Sequence, residues 1–333
     1  MIRALLIAGG ASAFQQATNG ISKVSTALHA RQPIMAGNWK LNPSSVQEAD
    51  GLAKGMAALL DSSTCAVSDG PMCTEVVVFP PFPFIASVVD DLENVGVGVG
   101  AQSIFHQAET GAYTGAVSCA MVKDMGCMYV LCGHSERRTV FKDDDAAINS
   151  KVLKVIEDGL KPVLCIGETK DEYDGGLCED VCKLQLAKDL AGVTADQMKD
   201  VVIAYAAGVV LDLGEATPTF GLIFAASRGV YRPRSNEGAS PAPSRRYEPV
   251  WAIGTGLVCP SDVAQKVHKS IRAYIAVLYD QATADAVRIQ YGGSVTPESV
   301  DELMSQPDID GCLVGGASLV AEKFARICNF VKL

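Results

Sequence analysis

A single carboxylate precedes a segment with the composition of a hinged lid. Glu248 lies in the run Tyr-Glu-Pro-Val-Trp-Ala-Ile-Gly-Thr-Gly, which extends from Tyr247 to Gly256. Proline stiffens one end of this run and glycines loosen the other, so the run is suited to close over a bound molecule. Glu248 is therefore a candidate base for proton transfer in a site that excludes water. The alternative is a surface ion pair of Glu248 with Arg245 or Arg246.

Two other side chains are candidates for chemistry. Lys40, which lies close to Asn38, could bind an anion or a developing oxyanion, although most lysines are simply solvated on the surface. His134, in the run Gly-His-Ser-Glu, could transfer a proton, although a lone histidine is more often a satisfied core residue. Ser135 and Glu136 are also a competent helix start, so part of this run could be purely structural.

Glycine-rich turns near the end of the sequence could supply backbone donors for a phosphate group. One turn reads Gly-Gly-Ser and ends at Ser294, and a second contains Gly315 and Gly316. Each turn leads toward a helical stretch, where backbone N–H groups can bind an anion. Glycine pairs also occur at turns for conformational reasons alone.

The elements that carry these residues follow a repeating pattern. From Pro33 onward, short apolar runs alternate with longer helical segments, which indicates βα units and a parallel sheet. The candidate strands cover residues 34–39, 75–79, 95–102, 129–133, 162–166, 201–205, 288–291 and 311–314. The candidate helices cover residues 45–60, 84–93, 117–125, 144–158, 178–190, 261–279, 297–305 and 319–331, with Ser261 as the N-cap of the sixth.

Eight such units predict an α/β fold of the (β/α)₈ barrel type. A doubly wound open sheet is the alternative, but no Gly-x-Gly-x-x-Gly follows the first strand. In a barrel, chemistry takes place where the strands end, and the candidate residues follow the first, fourth, sixth, seventh and eighth strands. The pattern therefore predicts that they meet in one site.

Composition limits the partners of this chain. Its formal net charge of −10 argues against a non-specific nucleic-acid or anionic-membrane binder, since both need a basic surface. No apolar run is long enough to predict a membrane-spanning helix. The 11 cysteines include no Cys-x-x-Cys pair, which predicts free thiols in a reducing compartment and no zinc site.

Residues 1–30 are expected to be a targeting peptide, because they contain no acidic residue and begin with a short apolar core. The run Ala-Ser-Ala-Phe from Ala11 to Phe14 resembles the signal-cleavage motif of precursors sent to complex algal plastids. A plastid location is therefore expected, with a mitochondrial or a cytoplasmic location as alternatives.

A second unusual segment, at about residues 206–246, separates the sixth strand from Glu248. It ends in a Pro-, Ser- and Arg-rich tail with the composition of a disordered linker. Residues 201–205 are expected to remain the sixth strand and the insert to loop out, because the alternative strand would direct an unpaired arginine into the barrel. Translation of a retained intron is a second explanation for the segment.

Five motifs resemble the signatures of the triosephosphate isomerase family, in the family's order. They read Gly-Asn-Trp-Lys from Gly37, Gly-His-Ser-Glu-Arg-Arg from Gly133, the ten-residue run from Tyr247, Tyr-Gly-Gly-Ser from Tyr291 and Leu-Val-Gly-Gly-Ala-Ser from Leu313. The resemblance implies interconversion of dihydroxyacetone phosphate and D-glyceraldehyde 3-phosphate through an enediolate, with no cofactor and no metal.

The resemblance also implies a role for each matching residue. Glu248 would shuttle the proton, His134 would polarise the carbonyl as a neutral electrophile, and Asn38 and Lys40 would bind substrate oxygens. Gly254, Ser294, Gly315 and Gly316 would bind the phosphate, and Glu136 would support the site from outside. The loop from Gln107 to Gly115, with Thr114 near its tip, would join two copies in a homodimer.

Two other functions remain open. A different phosphosugar enzyme on the same barrel would lack the His134 or Glu248 motif. A catalytically impaired barrel, in which the insert disrupts delivery of Glu248, could act as a binding or structural protein.

Overall fold

Eight parallel strands close into a barrel in the computed structural model, which describes residues 31–60, 74–206 and 259–332. The strands hydrogen-bond in sequence order, and the eighth pairs with the first. They are β1 (Ile34–Asn38), β2 (Glu75–Phe79), β3 (Gly98–Ala101), β4 (Tyr129–Cys132), β5 (Lys161–Ile166), β6 (Val202–Tyr205), β7 (Arg288–Tyr291) and β8 (Gly311–Val314). The predicted (β/α)₈ barrel is confirmed, and every predicted strand is present.

Helices follow the strands in the described part of the chain. They are α1 (Val46–Leu60), α2 (Ile85–Leu92), α3 (Cys119–Asp124), α4 (Ser135–Thr139), α5 (Asp145–Glu157), α6 (Lys170–Asp174), α7 (Cys178–Asp189), α8 (Ser261–Leu278), α9 (Gln281–Ala286), α10 (Val300–Met304) and α11 (Ala321–Cys328). The sequence pattern missed α6 and α9, which have only five and six residues, and for α4 it gave only the possible start at Ser135 and Glu136. In α1 the period is visible, since Ala49, Ala53, Met56 and Leu60 are its buried residues.

The predicted N-cap of α8 is wrong. The helix begins at Ser261, Pro260 occupies the cap position, and no side chain caps the helix. The Ser261 hydroxyl instead donates a hydrogen bond to Glu302 Oε1 at 2.6 Å. The serine therefore ties α8 to α10 and does not satisfy the backbone of its own helix.

Side chains of alternate residues point into and out of the barrel. In β1, Ile34 and Ala36 pack inside the barrel, whereas Met35 packs in the layer between strands and helices. The interior cluster also contains Val77, Phe79, Tyr129, Leu131, Val163, Cys165, Val202, Ala204 and Leu313. This filled interior makes the barrel a packed core and leaves its carboxyl end for the site.

A hydrogen-bonded charge cluster closes the amino end of the barrel. Glu75, Tyr129 and Arg288 are the first residues of β2, β4 and β7. The Tyr129 hydroxyl and the Arg288 guanidinium both donate to the Glu75 carboxylate. Burial raises the pKa of Glu75, but Arg288 and Tyr129 outweigh it and hold that pKa below its usual value.

The sixth strand keeps its place in the barrel. Each residue of β6 is in register with β5 on one side and β7 on the other, and Tyr205 lies beside Ile166 and Tyr291. The prediction that residues 201–205 form the sixth strand is therefore confirmed. The targeting peptide, Glu248, Gly254 and all of the insert except Ala206 lie outside the described residues. No helix of the described part is both long and apolar enough to cross a membrane.

Candidate active site

The backbone after β1 is held in an unusual conformation. Lys40 has φ 53, in the left-handed region that non-glycine residues rarely adopt. Its N–H donates to Asn38 Oδ1 at 3.0 Å, and its carbonyl accepts a hydrogen bond from Gln102 Nε2 at 2.7 Å. Gln102 also donates to the Phe79 carbonyl at 2.8 Å. Neighbouring strands therefore fix the direction in which the Lys40 side chain leaves the barrel.

An ion pair holds the Lys40 ammonium. Its Nζ lies 2.7 Å from Glu136 Oε1, and the two side chains are 25% and 29% exposed. A pair this exposed contributes at most about 1 kcal/mol to stability. Its main consequence is positional, because Glu136 on α4 holds the cation at the mouth of the barrel. Lys40 is not a freely solvated surface lysine.

His134 occupies the turn between β4 and α4 as the N-cap of that helix. Its Nδ1 accepts the backbone N–H of Glu136 at 3.3 Å, which assigns the proton of a neutral ring to Nε2. Burial lowers the pKa of His134 to about 4; the Glu136 carboxylate opposes this shift and Lys40 adds to it. The ring is therefore a neutral hydrogen-bond donor at physiological pH.

One cavity at the carboxyl end of the barrel brings the predicted residues together. Asn38, Lys40, His134 and Gly315 all line it, although they lie far apart in the sequence. The other lining residues are Cys165, Ala204, Ala206, Gly292, Gly293 and Leu313. Ser294 and Gly316 lie in the adjoining turns but do not line the cavity, and Glu248 and Gly254 lie outside the described residues.

The two glycine turns differ in how much space a side chain would have. A Cβ at Gly293 would lie 2.1 Å from the Tyr291 hydroxyl, so no side chain fits there. Gly316 has nothing within 4 Å of a Cβ among the described residues, and Gly315 would meet only Lys40, at an ordinary 3.7 Å. The backbone at Gly315 and Gly316 is thus open to approach, which suits an anion-binding turn.

Sequence reasoning missed two residues that hold the site. Gln102 was assigned to the end of the third strand, but its polar side chain at that strand end was not recognised as part of the site. Arg138 joins the ends of β4 and β5 by donating to the carbonyls of Gly133 and Cys165 at 2.8 and 3.0 Å. Only its position in the Gly133 motif pointed to it.

Potential metal ligands cluster elsewhere in the described residues. Glu168, Cys178 and Cys182 have ligand atoms within 4.8 Å of one another. None of the three lines the His134 cavity. They are therefore separate from the groups that could bind a phosphorylated substrate.

Comparison with known proteins places this site in a family. The model of the family described as triosephosphate isomerase matches residues 33–206 and 246–331. A triosephosphate isomerase of Herpetosiphon aurantiacus is 43% identical over 300 residues, which cover 90% of this chain and 99% of the relative. Those of Chloroflexus aurantiacus and Finegoldia magna are 40% and 38% identical, with 90% and 91% of this chain and 99% and 100% of each relative covered. The chain belongs to the triosephosphate isomerase family.

Proposed function

We propose that this protein interconverts dihydroxyacetone phosphate and D-glyceraldehyde 3-phosphate through an enediolate. One observation carries the proposal: Asn38, Lys40 and a neutral His134 line the same cavity. A cation and two neutral polar groups are suited to a phosphorylated hydroxycarbonyl compound whose oxygen gains negative charge during reaction. The family membership and the relatives' names agree with this activity.

His134 acts as the electrophile. A neutral imidazole donates a hydrogen bond from Nε2 to the substrate carbonyl oxygen. This hydrogen bond strengthens as that oxygen gains negative charge in the enediolate. Triosephosphate isomerase is itself the standard example of an enzyme that uses a neutral histidine in this role. Lys40 and Asn38 bind substrate oxygens and stabilise the same negative charge.

Glu248 completes the reaction as the base, on the strength of its motif. Its carboxylate removes a proton from the hydroxymethyl carbon of dihydroxyacetone phosphate, and the resulting acid returns the proton to the neighbouring carbon. Gly254, Ser294, Gly315 and Gly316 bind the phosphate, and the open backbone at the last two supports this assignment. Neither a cofactor nor a metal has a role in this scheme.

We also propose a homodimer joined by the loop from Gln107 to Gly115. Two features support it: Thr114 and Tyr113 are exposed, and the base of the loop is fixed by the Phe105 N–H, which donates to the Val117 carbonyl at 2.8 Å. A Thr114→Arg variant should be monomeric in analytical ultracentrifugation. An unchanged sedimentation coefficient would count against this interface.

For location, the acid-free residues 1–30 support import into a complex plastid. Fusion of this segment to a fluorescent protein in an alga with such plastids tests the proposal. Fluorescence in the mitochondrion or the cytoplasm would contradict the plastid location and support that alternative.

The activity is tested with two forms of the chain in a coupled assay of triose phosphate isomerisation. One form is the full chain, and the other lacks residues 206–247, which joins Tyr205 directly to Glu248. Activity in either form supports the proposal, and Glu248→Gln should abolish most of it in the active form. If both forms fold and neither isomerises triose phosphate, the impaired-barrel alternative replaces the isomerase.

A further inference from the structure

Two thiols and a carboxylate converge beside the sixth strand, and none of the three lines the His134 cavity. Cys178 and Cys182 are four residues apart on α7, so their side chains leave the same face of the helix. Glu168 lies in the loop that follows β5 and is only 3% exposed. The catalytic scheme uses none of these three residues.

Their spacing suits a small cation. The sulfur atoms and a Glu168 carboxylate oxygen all lie within 4.8 Å of one another, and Cys178 Sγ is 3.3 Å from Glu168 Oε2. A tetrahedral zinc ion with typical Zn–S and Zn–O bonds places sulfur and oxygen ligands roughly 3.6 Å apart. Small rotations of the three side chains would therefore bring them to coordination distance.

The surroundings hold the carboxylate in place. The Tyr205 hydroxyl donates to Glu168 Oε1 at 3.2 Å and lies 3.3 Å from Cys178 Sγ. Such outer contacts orient metal ligands in proteins.

An ion has a route to this cluster. Glu168 lines a cavity of about 250 Å³, together with Thr169 and Glu172, and Cys178 is only partly buried. Cys182 forms the closed back of the cluster, since it is 2% exposed. Two sulfur ligands favour thiophilic ions over magnesium or calcium, which prefer oxygen.

We infer that Glu168, Cys178 and Cys182 form a binding site for a thiophilic divalent cation of the Zn²⁺ and Cd²⁺ class. The site is independent of the proposed isomerase activity, because it shares no residue with the catalytic scheme. The expectation of no zinc site considered only the Cys-x-x-Cys motif. In a helix, cysteines four residues apart face one way, so a Cys-x-x-x-Cys spacing joined by a distant carboxylate can serve the same purpose.

Metal binding by matched double variants tests this site. Reduced, metal-stripped full-length protein is titrated with ZnCl₂ and, separately, with CdCl₂, whose thiolate complexes absorb in the ultraviolet. Cys178→Ser/Cys182→Ser should lose one equivalent of tight binding. The control Cys127→Ser/Cys328→Ser, whose two thiols are each 4% exposed and lie outside the cluster, should keep it. Equal stoichiometry in the two variants would overturn the site.

Two further measurements do not depend on how well the double variant folds. Glu168→Gln should weaken Zn²⁺ binding at least about 10-fold, the lower limit for loss of an orienting partner. In the unmodified protein, Zn²⁺ should slow alkylation of Cys178, as mapped by mass spectrometry, and Mg²⁺ at the same concentration should not. Alkylation of Cys178 at the same rate with and without Zn²⁺ would exclude it as a ligand.

Discussion

The two ends of the barrel each carry a charge cluster, and the two clusters are built differently. At the amino end, Glu75 accepts hydrogen bonds from both Tyr129 and Arg288, and the Glu75 and Arg288 side chains are 21% and 15% exposed. At the carboxyl end, Lys40 and Glu136 are 25% and 29% exposed and border a cavity.

The difference separates stability from chemistry. The amino-end cluster satisfies its own charges, so its removal should leave a buried partner uncompensated and weaken the fold. The carboxyl-end cluster lies beside a left-handed backbone at Lys40 and beside His134, which burial keeps neutral, and both features favour binding over stability. The comparison predicts that substitutions at one end change the unfolding free energy and those at the other change the rate.

The largest effect is expected from His134→Asn. Asparagine is a good N-cap and can still accept the Glu136 N–H, so α4 should form normally and the unfolding free energy should change by about 1 kcal/mol or less. The variant lacks the imidazole donor, so kcat/KM should fall about 10²- to 10⁴-fold. Steady-state kinetics and urea unfolding measure the two quantities. If a loss of stability accounted for the loss of activity, the carboxyl end would contribute to stability as the amino end does, and the two ends would not differ in role.

The reciprocal variant is Glu75→Gln at the other end. It leaves Arg288 without its anion, which should cost about 3 kcal/mol of unfolding free energy, the lower end of the range for buried pairs because both side chains keep some exposure. The kcat should stay within about 2-fold, because the cluster lies at the opposite end from the catalytic cavity. Urea unfolding at one fixed protein concentration measures the cost.

The pH dependence of that cost gives an internal check. The pKa of Glu75 is lowered in the folded protein, so its contribution is complete above the ordinary value of 4.5 and is lost as the pH falls below it. The difference between the wild-type protein and Glu75→Gln should therefore shrink below pH 4.5. A cost that is independent of pH would mean that the charge of Glu75 does not stabilise the fold.

Much of the barrel could be read from the sequence, because each strand is a short apolar run with a length close to the observed one. The site residues Asn38, Lys40 and His134 could be predicted for a related reason: a polar residue at or just after the end of a buried strand must lie at the carboxyl end of the barrel. Gln102 shows the limit. Its side chain acts on Lys40 through a hydrogen bond between residues 62 positions apart, and no local pattern records such a contact.

Short elements show the same limit. Helix α4 has five residues and is set by the His134 cap and by the ion pair of Glu136 with Lys40, both of which depend on the closed barrel. The Ser261 hydroxyl looked like a cap, but Pro260 occupies the cap position and the hydroxyl donates to Glu302. In each case the residue could be identified from the sequence, but its tertiary contact could not.

A smaller effect is expected from Gln102→Leu. It removes the donor to the carbonyls of Lys40 and Phe79, so the left-handed turn should relax and displace the ammonium. Because displacements of about 1 Å can cost up to about 10²-fold, kcat should fall about 10-fold or more. The matched control is Gln185→Leu, since Gln185 makes two similar hydrogen bonds to the backbone of Gly167.

Both glutamine variants should lower the thermal midpoint by a similar amount, because each removes two hydrogen bonds to partly buried backbone groups. Only Gln102→Leu should lower kcat. If the two variants lost the same activity, Gln102 would be a general structural residue and not a positioning residue for Lys40.

The smallest effect concerns His134 and pH. Because burial lowers its pKa to about 4, its ring nitrogens should not titrate between pH 8 and 5.5 in ¹⁵N NMR spectra, with the proton on Nε2 throughout. An unfolded chain takes up that proton near pH 6.5, so His134 should reduce stability only as the pH falls below 6.5. At pH 5.5 the cost is about 1 kcal/mol relative to pH 8 and should be absent in His134→Asn. A His134 ring that gained a second proton near pH 6.5 would be a cation in the site, and the carboxyl end would then hold two positive charges instead of one cation beside a neutral donor.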